Sequence, residues 1–112
     1  MARRTRATEA LPAPLLRALT KLGGDLRVAR KRRRISVRQM AERMMVSVDT
    51  LVRLEKGDPR VGLGILGSAL WALGMHEHLA QLVEPDRDTV GKNLELTRLP
   101  KKVRTQGADF DF

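Results

Sequence analysis

The sequence predicts an all-α domain, and two observations predict it. Leu63, Leu66, Leu70 and Leu73 recur at the spacing that gathers side chains on one helical face. Upstream, Ser36 and Ser47 each open an amphipathic run of about nine residues, and a serine at that position accepts from the unpaired amides of a first helical turn. With 112 residues the chain is one small domain with tails.

Met1 to Ala10 has no apolar periodicity, so residues 1–12 are expected to be a disordered basic arm. Leu15, Leu16, Leu19 and Leu22 share a face and predict a short leading helix that Gly23-Gly24 should break. Asp25 to about Arg33 predicts a second helix with Leu26 and Ala29 inward, its acid at the positive end and its basic run at the negative end. Ser36 caps the next helix. Gln39 completes a capping box, Ile35 staples to Met40, and Met40, Ala41 and Met44 form the buried stripe.

After a Met45-Val46 turn the same grammar repeats. Ser47 caps, Val46 staples to Leu51, Leu51 and Leu54 are the buried pair, and Gly57-Asp58-Pro59 stops the helix. The Leu-periodic helix from Leu63, supported by Ile65, Ala69 and Trp71, ends at Gly74. Residues 77–83 predict one more short helix closed by Pro85. Residues 86–99 read as a helix through Val90 and Leu94, or as a strand through Leu94-Glu95-Leu96, with the helix favoured. The domain is thus expected over 13–85, with its core at 24–83 and a C-terminal extension at 86–112.

Residues 1–34 hold eleven Lys/Arg against Glu9 and Asp25, which accounts for the whole net charge of +9. Such an excess suggests a polyanionic partner. Zero cysteines exclude disulfide frameworks, thiolate metal sites and thiol nucleophiles, and point to a cytoplasmic protein. No stretch approaches the ~20 apolar residues of a membrane span, and Pro12, Pro14, Arg17 and Lys21 interrupt any signal core, so no membrane association is expected.

Two capped helices joined by a turn of about three residues form the geometry in which the second helix enters a major groove of double-stranded DNA. With Leu51 and Leu54 buried, Val48, Asp49, Val52, Arg53 and Lys56 are left on the outer face as base-reading candidates, unless Asp49 and Arg53 simply pair.

Over residues 24–83 the sequence resembles the Xre/Cro-type helix-turn-helix repressors. The motifs are Ile35-Ser36, Met40-Ala41-Glu42, Val46-Ser47, Thr50-Leu51, Arg53-Leu54-Glu55-Lys56-Gly57 and Ala72-Leu73-Gly74. The resemblance implies a five-helix lambda-repressor-like domain and a structural ion pair between Arg30 and Glu55. Val48, Asp49 and Arg53 fall at the family's base-contacting positions. Arg forks to guanine, a carboxylate accepts from cytosine, and Val touches a thymine methyl. Val52 is grouped with them. Ser36, Arg38, Ser47, Thr50, Lys56 and Arg60 are expected on phosphates, with the amides near Gly62. Two positions depart from the family pattern. Val37 replaces the phosphate-binding Gln and leaves Arg38 as the substitute donor; Met45 replaces the turn Gly and requires either an uncommon backbone angle or a reshaped turn.

Three motifs are set aside. Gly62-Leu63-Gly64-Ile65-Leu66-Gly67 matches a dinucleotide fingerprint, but it lies on a Leu-periodic helix without a βαβ unit. His76 and His78 read as surface residues, not metal ligands. Ser36, Ser47 and Ser68 have no partnered His, so no enzymatic activity and no cofactor are expected. Trp71, Met40 and Met44 read as packing residues and Met45 as exposed.

Arg98 to Arg104 and the acidic-aromatic end Ala108 to Phe112 form a disordered tail or a docking peptide. The expected function is a homodimeric repressor acting on a near-palindromic, self-regulatory operator, with Leu79, Leu82 and Val83 or the Leu94–Leu99 segment as the dimer surface. The alternative is a HipB-like antitoxin that restrains a HipA-like kinase toxin and co-represses the shared operon. Binding driven by charge alone would leave the capped helix pair unexplained.

Overall fold

A computed structural model of the chain describes residues 10–99. The arm up to residue 9 and the tail from residue 100, including the proposed docking peptide, lie outside the described residues. Within them the chain is all-α: α1 (Ala13–Arg32), α2 (Val37–Met44), α3 (Val48–Glu55), α4 (Leu63–Leu73), α5 (His76–Ala80), a 3-10 turn (Pro85–Arg87) and α6 (Thr89–Arg98). It divides into one unit ending at Leu79 and a second beginning at Ala80.

The expected break at Gly23-Gly24 does not occur; α1 is one helix of 20 residues. A glycine costs a helix interior only ~1 kcal/mol, and here tertiary contact outweighs it. Gly23 is buried where α1 crosses the end of α3, and a Cβ there would lie 2.6 Å from the Glu55 carbonyl oxygen and 2.7 Å from that of Leu54. Gly57 mirrors it. Its φ of +77° favours glycine, and a Cβ would stand 2.5 Å from the Leu19 carbonyl oxygen. The pair lets two backbones touch.

The core consists of Leu26, Ile35, Met40, Ala41, Met44, Leu51, Leu54, Ala69, Leu70 and Leu73. Two residues expected in the packed stripe of α4 are exposed. Leu63 opens the helix, whose packing begins only at Ile65 and Leu66. Trp71 lies off the Ala69-Leu70-Leu73 face and packs its ring 4.7 Å from that of His76. On the leading part of α1, Leu15, Leu16 and Leu22 are also exposed.

Four helices end in the same way, with a left-handed residue whose amide and successor's amide return to the last turn. Gly57 and Gly74 serve α3 and α4, but Arg34 (φ +53°) and Met45 (φ +57°) serve α1 and α2. At Arg34 the bonds run from its own amide to the Lys31 carbonyl (2.9 Å) and from Ile35 to Arg30 (3.3 Å), and Ile35 is carried into the core.

In the second unit, Asp88 caps α6 by accepting from the Gly91 amide at 2.9 Å, so the ambiguous segment is helical. The short helix expected over 77–83 ends earlier, at Ala80. Leu82, Val83, Val90, Leu94, Leu96 and Leu99 are all exposed.

Candidate nucleic-acid interface

Ser36 and Gln39 form both halves of a capping box: the Gln39 amide donates to Ser36 Oγ at 3.1 Å, and the Ser36 amide donates to Gln39 Oε1 at 2.9 Å. Ser47 Oγ accepts from the Thr50 amide at 3.1 Å and lies 2.9 Å from the Thr50 hydroxyl. Two hydroxyls sharing one hydrogen bond leave one proton to donate outward, which suits a phosphate oxygen.

Met45 adopts the left-handed conformation itself, so the turn keeps its shape without glycine at a cost of ~1 kcal/mol. Its side chain is 92% exposed and stands clear of the core. The Val46 amide closes the turn onto the Ala41 carbonyl at 3.0 Å.

On α3, Val48 and Asp49 are exposed, and Lys56 is exposed just beyond its end. Val52 and Arg53 are half-buried. Val52 lines an open cleft of about 260 Å³ with Val37, Arg27, Arg30, Glu55 and Lys56. Ser36 and Arg38 are exposed at the start of α2.

Behind α3, Arg30 holds Glu55 with a fork, Nε to Oε2 at 2.7 Å and Nη2 to Oε1 at 3.0 Å, and gives Nη1 to the Ile35 carbonyl at 2.8 Å. Both side chains are more than nine-tenths buried. Hydrogen bonding to Glu55 raises the Arg30 pKa further, so the guanidinium stays charged. The fork fixes the C-terminal turn of α3 against α1.

Asp58, read from the sequence only as part of a helix stop, organises the end of α3. Its Oδ2 accepts from Arg53 Nε at 2.9 Å, and Arg60 donates to it through the backbone amide (2.9 Å), Nε (3.1 Å) and Nη2 (3.1 Å). Hydrogen bonds from Arg60, reinforced by the one from Arg53, hold the Asp58 carboxyl well below the ordinary range. Arg53 therefore pairs with Asp58, not with Asp49. Arg60 is exposed with two of its three side-chain nitrogens on the same carboxylate. The available signal was an acid in the post-helix loop with arginines five residues before it and two after.

Gly64 and Gly67 of the fingerprint-like run lie inside α4, and no strand precedes them among the described residues. No described helix is long and apolar enough to cross a membrane. A family model described as a helix-turn-helix domain matches residues 21–83, more than half of the chain. No curated protein and no solved structure matches it. α2, its turn and α3 all lie inside the matched span, and the chain belongs to the helix-turn-helix family of DNA-binding domains.

Proposed function

We propose that the protein is an Xre/Cro-type repressor of the cytoplasm that binds a near-palindromic operator as a homodimer, represses its own gene and performs no chemical step. The supporting observation is the outer face of α3, where Val48 and Asp49 stand exposed and Arg53 emerges beside them while Leu51 and Leu54 anchor the helix from behind. This face offers an apolar, an acceptor and a donor group to base edges. Exposed Ser36, Arg38, Ser47 and Lys56 flank it for phosphates.

A footprint on the DNA upstream of the gene, with excess random competitor, tests this reading. Protection should cover paired half-sites with centres about 34 Å apart. Arg53→Ala should weaken it by about 5- to 150-fold, the ~1–3 kcal/mol of one base contact. A single isolated half-site would contradict the dimer, and equal competition by random DNA would leave charge alone as the driver.

A second reading, the antitoxin, is favoured by the uncovered apolar side chains of the second unit, including Val83, Val90 and Leu96. Such a patch suits a protein partner. If that partner is a kinase toxin, it should co-purify with the full chain and be lost when residues 86–112 are deleted.

A further inference from the structure

We infer that Asp58 is a specificity-determining positioning residue: it holds Arg53 so that the two terminal nitrogens of the guanidinium, and not its Nε edge, are presented to a guanine. The inference rests on the proposal that Arg53 reads a base, and it adds a residue that does not itself touch DNA.

An arginine at the end of a recognition helix has a long side chain with ~2 kcal/mol of rotamer entropy, and phosphates compete for it. Phosphate contact carries no sequence information. Here Nε is committed to Asp58 Oδ2 at 2.9 Å, which removes the side-on pairing mode that uses Nε with one terminal nitrogen. The end-on pair, Nη1 with Nη2, matches the O6 and N7 acceptors of guanine. The carboxylate beside the guanidinium also repels a phosphate approaching from that side.

The support is itself rigid. The Asp58 amide donates to the Arg53 carbonyl at 3.0 Å, the next residue is Pro59 with a fixed φ, and three donors of Arg60 hold the carboxylate, two on Oδ1 and one on the Oδ2 that Arg53 also uses. The Asp58 side chain is 11% exposed. With its pKa depressed, it remains ionised across the physiological range. Arg60 thus acts at one remove, steadying the residue that steadies Arg53.

The test is selection from a library of random duplex DNA by the full chain and by Arg53→Ala, Asp58→Asn, Asp58→Glu and the Arg53→Ala/Asp58→Asn double variant. Thermal melting verifies that each is folded. The wild type should enrich a motif with one G·C pair that Arg53→Ala flattens. Asp58→Asn should reduce preference at that same pair about tenfold and leave the other positions intact, with affinity for a fixed random duplex unchanged or higher because a negative charge is gone. The double variant should be no less selective than Arg53→Ala.

Asp58→Glu, which keeps the charge and the amide bond to the Arg53 carbonyl, should restore part of the preference, and it carries the test if the Asn variant does not fold. A motif whose Arg53-dependent pair is indifferent to both Asp58 substitutions would overturn the inference alone. So would a loss of affinity spread evenly over all sequences, which marks a role confined to the loop. No enriched motif from the wild type would overturn the repressor reading and this inference with it.

Discussion

Gly23→Ala should destabilise the domain by about 3 kcal/mol or more, a fall in Tm of roughly 10–20 °C. The added methyl would sit 2.6–2.7 Å from three backbone atoms, the carbonyl oxygens of Leu54 and Glu55 and the amide nitrogen of Gly57. Backbone cannot rotate aside as a side chain can, so α1 and α3 would have to part, and the Arg30–Glu55 fork would stretch with them. Gly24→Ala supplies the control. A Cβ at Gly24 meets nothing within 4 Å, and alanine in a helix interior is favoured over glycine by ~0.5–1 kcal/mol, so that variant should melt a few degrees higher. Opposite signs at adjacent glycines, read by thermal denaturation, distinguish a helix crossing from a helix break; equal small effects would reject the crossing.

Glu55→Ala should cost about 3–5 kcal/mol, because it leaves the Arg30 guanidinium buried with the Ile35 carbonyl as its remaining partner. That figure is the penalty of an orphaned charge and exceeds what the pair contributes net. Replacing both partners together, Arg30→Met with Glu55→Leu, should therefore be milder than the single change. Denaturant unfolding of the three proteins measures the difference. A double variant as unstable as Glu55→Ala would show that Arg30 matters through its packing and its bond to Ile35 more than through charge.

The helix pair was legible because its signals are local. Ser36 with Gln39, and Ser47 followed by Leu51 and Leu54, specify caps and buried faces within one or two turns, and the described helices carry them there. Gly23 was misread for the converse reason. Glycine is written alike whether it ends a helix or lets another backbone approach, and only the distant Gly57 decides between them. Leu63 and Trp71 fit the periodicity of α4 yet are exposed, since a repeat identifies a face but not how much of it neighbouring helices cover. Helical angle puts Val52 toward the outer face, but the cleft it shares with Val37 depends on how the helices cross. Asp58 escaped notice because its meaning lies in the rotamers of Arg53 and Arg60.

The short length of α3 has a bearing on how the protein becomes competent. Eight residues do not hold a helix in water by themselves. Its C-terminal turn is held by α1 at the glycine crossing and by an ion pair spanning 25 positions of sequence. The outer face of α3 is consequently assembled only when the chain has closed on itself; on the proposed function, a partly folded intermediate would be blind to sequence. If α3 reads DNA as proposed, folding and recognition form one linked equilibrium, in which bound DNA would stabilise the domain from α1 to α4 rather than a single helix.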